Sequence, residues 1–151
     1  MPSTTSLANK LQSDFPAYTF KASDEFRWSP QENIIFYDQN SDDIASLLHE
    51  LAHATLGHAS FTKDLALIEM ERDAWQYAVT KLAPAYGLTI NDETVQDSLD
   101  TYRDWLHARS TCPHCKATGV QTKKSTYKCI LCATKWRVND ARVCTLRRHI
   151  L

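Results

Sequence analysis

The sequence contains no uninterrupted apolar run that approaches the roughly 18 residues needed to cross a bilayer. Its start, MPSTTSLANK, has no basic segment followed by an apolar core, so it does not resemble a secretory signal. No internal repeat and no low-complexity segment is present. These absences argue against a membrane-spanning, secreted or repetitive protein, and we predict a cytoplasmic location.

Cysteine is absent before residue 112, and acidic residues are almost absent after residue 110. Residues 1–110 carry eight Lys and Arg against seventeen Asp and Glu, a net charge of −9, whereas residues 111–151 carry nine against Asp140 alone, a net charge of +8. An acidic body with a basic tail suggests two modules, at 1–110 and 111–151, within a folded chain of 151 residues that is 43% hydrophobic. The tail could therefore bind a polyanion.

The first four of the five cysteines form two C-x-x-C pairs separated by 13 residues: Cys112 and Cys115, then Cys129 and Cys132. In a cytosolic protein this spacing favours a closed, tetrahedral zinc site over disulfides. A module of roughly 40 residues has little core of its own, so the metal would supply much of its stability. We expect His114 to be exposed and Cys144 to lie outside the site.

A second candidate metal site begins with the H-E-x-x-H motif of His49, Glu50 and His53, on a helix predicted over residues 43–56. Residues i and i+4 share a helix face, so the two imidazoles can bind one ion while Glu50 takes a proton from a water on that ion. The core stripe of this helix lies roughly opposite the histidines: Ile44, Leu47, Leu48, Leu51 and Ala54.

The third ligand is expected on the next helix, predicted over residues 64–83. Glu71 lies in the middle of the apolar stripe of that helix, whereas Glu69 and Asp73 point away. A carboxylate among apolar positions is costly unless it is paired or binds a metal. Two His and one Glu with an open fourth position form a catalytic zinc site, and peptide hydrolysis is the reaction best known for it.

Several alternatives stay open at this point. His58 is a rival third ligand, or a group beside the ligands or the substrate, and Tyr77 is a candidate to stabilise an oxyanion. The histidines could be incidental on a surface helix, or the zinc site could be retained without activity. A non-catalytic, zinc-stabilised module that binds nucleic acid or protein is the competing class.

The remaining chain predicts an α+β fold. We expect a first helix over residues 3–13, three short strands between residues 18 and 37 in a small antiparallel sheet, and a last helix from about residue 91 to residue 109. The domain of residues 1–110 is thus a compact helix, sheet and helix arrangement, followed by a zinc ribbon.

The tail could meet phosphates through its basic side chains, with Trp136 available for base stacking. The alternatives are a solvated surface or docking onto the acidic body of the same chain. The basic residues are Lys116, Lys123, Lys124, Lys128, Lys135, Arg137, Arg142, Arg147 and Arg148.

The motifs at 49–53 and 71–74 together resemble the ImmA/IrrE-type metallopeptidases of the gluzincin group, over about residues 5–105. The resemblance implies His49, His53 and Glu71 as zinc ligands and Glu50 as catalytic base. It also implies a protein substrate, often a transcriptional repressor. Many members have Asp or Asn where this chain has Trp75.

A peptidase followed by a zinc ribbon is also similar to the SprT and Spartan proteases, which act on protein attached to DNA. Those enzymes take a third histidine well beyond the motif, and only the segment 57–63 is faintly similar here. We therefore predict one catalytic and one structural Zn²⁺ and an endopeptidase that cleaves a regulatory or nucleic-acid-associated protein. The ribbon is expected to recruit this protein or peptide substrate, or nucleic acid.

Overall fold

The computed structural model describes residues 2–140 and 144–151, and its α+β class agrees with the sequence prediction. The chain forms two compact units. One contains the residues up to Ala59 together with Met70–Asp92, and the other contains Ser60–Glu69 together with the residues from Glu93 onward. The helix of residues 92–110 thus belongs largely with the ribbon, whereas the sequence predicts a boundary after residue 110.

The first part of the chain forms α1 (Thr4–Asp14), β1 (Thr19–Ser23), β2 (Arg27–Ser29), β3 (Ile34–Asp38) and α2 (Ile44–Thr55). Next come α3 (Asp64–Tyr77), a π-helical stretch (Ala78–Leu82) and the short α4 (Ala83–Ala85). The remainder forms α5 (Asp92–Ser110), β4 (Gly119–Lys123), β5 (Thr126–Cys129), β6 (Lys135–Val138) and β7 (Arg148–Ile150). Within the described residues, no helix is long and apolar enough to span a membrane.

The sheet of the first unit is mixed, so the prediction of an antiparallel sheet was wrong. Its order is β1-β3-β2, with β3 parallel to β1 and antiparallel to β2. The most apolar strand, which contains the fully buried Ile35, takes the central position, while β1 is largely exposed. The residue pattern predicts where the strands lie in the sequence. Their order in the sheet instead follows from the burial of β3 in the central position.

Both ends of α2 are defined by local chemistry. The Asp43 side chain accepts a hydrogen bond from the Ser46 N–H at 3.0 Å, which caps the first turn. Gly57 follows the helix with a φ of +72°, a conformation that only glycine adopts readily. The chain then turns back so that the His58 N–H donates to the His53 carbonyl at 2.9 Å.

In the second unit, one face of the antiparallel sheet β4-β5-β6-β7 packs on the C-terminal part of α5. Tyr127 and Trp136 are buried there, and the Trp136 indole donates to the Arg109 carbonyl at 3.0 Å. Gly119 is required by this packing, because a Cβ at that position would lie 2.5 Å from Cη2 of Trp136. The ribbon therefore builds its core with a helix as well as with cysteines.

A buried ion pair connects three elements of this unit. The Asp64 carboxylate, at the start of α3, accepts hydrogen bonds from the Arg109 Nε at 2.7 Å and from the Tyr127 hydroxyl at 2.5 Å. Arg109 also donates to the Asn139 carbonyl. Both charged side chains are only 3% exposed, so neither has water as an alternative partner.

Candidate functional site

The structure brings His49, His53 and Glu71 together between α2 and α3. The Glu71 carboxylate contacts both imidazoles: Oε2 lies 2.8 Å from Nε2 of His49, and Oε1 lies 3.1 Å from Nε2 of His53. The three residues are 5–7% exposed, and their ligand atoms all lie within 4.8 Å of one another. The sequence predicted this group from the i, i+4 spacing of the two histidines on α2 and from the acid on the apolar stripe of α3. The structure places all three residues in one cluster.

The chemistry of this cluster suits a cation. The short contact between His49 Nε2 and Glu71 Oε2 does not have hydrogen-bond geometry, and both buried atoms are left without a hydrogen-bond partner. Leaving two such atoms unsatisfied costs roughly 1–3 kcal/mol each. An ion bound by both atoms would remove that cost, so the group could hold a metal ion.

Glu71 is charged in this setting. Burial alone would raise the pKa of its carboxyl, but the contacts with His49 and His53 lower the pKa more strongly, and it falls well below its ordinary range. The side chain therefore presents a carboxylate, the form that a metal ligand needs.

Two aromatic neighbours orient the imidazoles. Trp75 stacks on His49 with ring centroids 4.1 Å apart and an interplanar angle of 7°. On His53, Nδ1 lies 2.9 Å from Nδ1 of His58, so Nε2 is the nitrogen directed at Glu71. Burial, and then the neighbouring His53, lower the pKa of His58. His58 thus lies behind a candidate ligand, and it is not a member of the ligand group.

Glu50 lies beside the cluster. Its Oε2 accepts a hydrogen bond from the Trp28 backbone N–H at 3.0 Å, and its Oε1 is 3.6 Å from Nδ1 of His49. Burial raises the pKa of this carboxyl, against the opposing effect of the two histidines. A carboxylate whose proton affinity is raised in this way is suited to accept a proton.

Sequence reasoning missed Trp28. This residue of β2 contacts Glu50 through its backbone and also donates from its indole to the His58 carbonyl at 2.9 Å. No spacing rule connects a strand residue to a helix twenty-two positions later. The role of Trp75 could have been found, because it follows Glu71 by four positions on the same helix face.

Tyr77 lines a separate shallow cavity of about 290 Å³ together with Leu56 and Asp73. Its role in oxyanion stabilisation stays a prediction.

The four cysteines of the two C-x-x-C pairs also form one group. Sγ of Cys112 lies 3.7 Å from Sγ of Cys132, and Sγ of Cys115 lies 3.5 Å from Sγ of Cys129. These distances are far longer than the roughly 2.05 Å of a disulfide. They are close to the edge of about 3.8 Å of a sulfur tetrahedron around zinc. The quartet could hold a metal ion.

Hydrogen bonds reach two of these sulfurs, those of Cys112 and Cys132. The backbone N–H groups of His114 and Cys115 point at Sγ of Cys112 at 3.4 and 3.5 Å. The Thr134 side chain and backbone lower the pKa of the Cys132 thiol to about 6, which favours the thiolate. As expected, His114 is exposed, and Cys144 lies outside the quartet.

The prediction that Trp136 stacks on nucleic-acid bases was wrong. Its side chain is 0% exposed, because the indole is enclosed between β6 and α5. Of the nine basic residues of the tail, Arg142 lies outside the described residues.

No family model matches the chain, and neither curated proteins nor solved structures give a match. The resemblance to ImmA/IrrE-type peptidases thus rests on the two motifs and on the side-chain cluster that they form.

Proposed function

We propose that the chain is a zinc-dependent endopeptidase. The observation that carries this proposal is the buried group of His49, His53 and Glu71, in which two facing polar atoms lack hydrogen bonds while Glu50 lies alongside. Two imidazoles and one carboxylate form the ligand set of an open catalytic zinc site. A structural site would instead close the coordination shell with a fourth side chain.

Each residue has a distinct task in this proposal. A zinc ion, when bound, would activate a water molecule and polarise a carbonyl group. Glu50 accepts the proton of the attacking water and later passes it to the leaving amine. The Trp28 N–H fixes one oxygen of Glu50 and leaves the other as the proton acceptor. Trp75 and His58 keep the two imidazoles oriented towards Glu71.

Membership of the ImmA/IrrE-type group is part of the proposal. The position of Glu71 supports it, because this carboxylate contacts the Nε2 atoms of both histidines. His58 lies on the Nδ1 side of His53, which disfavours the SprT-like alternative with a third histidine. We accordingly propose a regulatory or nucleic-acid-associated protein as substrate, and a second, structural zinc ion in the cysteine quartet.

The proposal is tested with full-length protein, by metal analysis and by digestion of a proteome-derived peptide library followed by mass spectrometry. Wild type should contain about two zinc ions per chain and cleave a defined set of peptides. Glu50→Gln should keep both ions and lose cleavage, whereas Glu71→Gln should lose one ion. Glu69→Gln is the matched control, because Glu69 is an exposed glutamate of the same helix; it should behave as wild type.

Two results would count against the proposal. Cleavage by Glu50→Gln at the wild-type rate would show that Glu50 is not the proton acceptor in the reaction. A wild-type protein with two zinc ions that cleaves no library peptide would favour the non-catalytic binding module. If cleavage depends on Glu50, proteins that stay bound to the Glu50→Gln variant can be isolated and identified by mass spectrometry as candidate substrates.

A further inference from the structure

The outer face of the ribbon sheet concentrates positive charge. Directly opposed residues of neighbouring antiparallel strands point to the same face, and Lys128 is directly opposite Lys135. Arg137, two positions after Lys135, lies on that face as well. It is opposite Thr126, which in turn is opposite Lys123 of β4. We call Lys123, Lys128, Lys135 and Arg137 the basic face.

The basic face is exposed to solvent because the opposite side of the same sheet is the one that packs against α5. Tyr127 and Trp136 alternate with the basic residues and are buried against α5, so the basic side chains project outward, and all four are exposed. Like charges directly opposite each other destabilise a sheet. Among the described residues, none makes an ion pair with the basic face. An external anion bound to the basic face would offset this repulsion.

We propose that the basic face binds the phosphates of a nucleic-acid backbone. The backbone positions that carry these cations are about 4.8 Å apart between strands and about 6.6 Å apart along them, so the long side chains can meet different charges of a dense polyanion. Isolated carboxylates on a protein surface do not supply that density. This interaction is separate from the proposed peptidase chemistry and does not depend on it.

The burial of the ribbon's two large aromatic rings defines the mode of binding. Tyr127 and Trp136 are at most 2% exposed, so neither can stack on a base. Recognition through phosphates alone carries no sequence information. The basic face therefore binds without sequence preference and accepts duplex DNA, single-stranded DNA and RNA, with a steeper salt dependence on the duplex.

Fluorescence anisotropy with full-length protein tests this inference, with labelled 20-mers of duplex DNA, single-stranded DNA and RNA at several salt concentrations. The variant is Lys128→Gln/Lys135→Gln, and the matched control is Lys10→Gln/Lys21→Gln, which removes the same charge from exposed lysines of the other unit. Losing two phosphate contacts should reduce the slope of log affinity against log salt by about 1.4–1.8. At 0.1 M salt that is a loss of about 25- to 60-fold, and the control should retain wild-type affinity.

Zinc content and circular dichroism of the variant should match wild type, because both lysines are exposed. Absence of wild-type binding to all three probes at low salt would overturn the proposal. So would an equal loss in both double variants, or tighter binding of polyglutamate than of any nucleic acid.

Discussion

The buried ion pair between Asp64 and Arg109 gives the most decisive test of how the ribbon is built. Asp64→Asn keeps the size of the side chain but removes its charge. The Arg109 guanidinium would then remain 3% exposed with no carboxylate to neutralise it. Tyr127 would keep an oxygen acceptor but lose a charged one. The substitution therefore isolates the electrostatic contribution from packing.

The expected magnitude follows from burial. Removing one partner of a buried pair costs about 3–5 kcal/mol, because the other charge stays in a poorly solvated site. The amide oxygen of Asn still accepts hydrogen bonds, so we expect the low end, about 3 kcal/mol. The matched control is Asp100→Asn. Its partner Arg103 lies at 2.9 Å, but the two side chains are 60% and 51% exposed, so the change should be below about 0.5 kcal/mol.

Hydrogen exchange by mass spectrometry measures this locally, which avoids treating two units as one folding transition. With zinc present at saturation, amides of β5 and β6 should exchange about 100-fold faster in Asp64→Asn, the equivalent of roughly 3 kcal/mol. Exchange within threefold of wild type would refute the reasoning. An equal acceleration in Asp100→Asn would refute it too, because burial would then not be the cause.

Two further substitutions test the packing of the ribbon and the support of the metal site. Gly119→Ala should destabilise the protein by about 1–3 kcal/mol, because its Cβ would meet the Trp136 ring at 2.5 Å. Thermal unfolding measures this, with Thr118→Ala as the neighbouring control. An unchanged unfolding midpoint in Gly119→Ala would contradict the prediction. His58→Ala should weaken zinc binding at the histidine site by about 10- to 100-fold, whereas His58→Asn, which restores an acceptor for His53 Nδ1, should recover much of it. Chelator competition and the Co²⁺ absorption spectrum distinguish the two variants, and an equal loss in both would argue for a purely structural role.

The two candidate metal-binding groups could be predicted from the sequence because short-range geometry determines them. Residues four apart on a helix share a face, and a C-x-x-C pair closes on one ion, whatever the rest of the fold does. Glu71 required one more step, namely the cost of a carboxylate on an apolar stripe. Each of these arguments uses the chemistry of a single element.

The errors all concern neighbours across the fold. Strand periodicity cannot reveal that β3 lies between β1 and β2, since the pairing depends on burial of the whole sheet. Trp136 was assigned to nucleic acid because nothing in the tail itself indicates the helix that covers it. Trp28 contacts Glu50 from a distant strand for the same reason. Long-range packing decides such contacts.

The two buried acids of α3 show why one is a structural ion pair and the other a candidate metal ligand. Asp64 and Glu71 are seven residues apart, about two turns, and both are almost fully buried. Asp64 faces a guanidinium, which is permanently charged and donates a well-formed hydrogen bond at 2.7 Å. Glu71 faces two imidazoles and no permanently charged side chain, and its closest contact lacks hydrogen-bond geometry. The carboxylate of Asp64 is satisfied by its partners, whereas Glu71 keeps an oxygen without a hydrogen bond and could bind a cation with it. The chemistry of the partners, and not the burial of the acid, therefore distinguishes the two positions and makes Glu71 the candidate metal ligand.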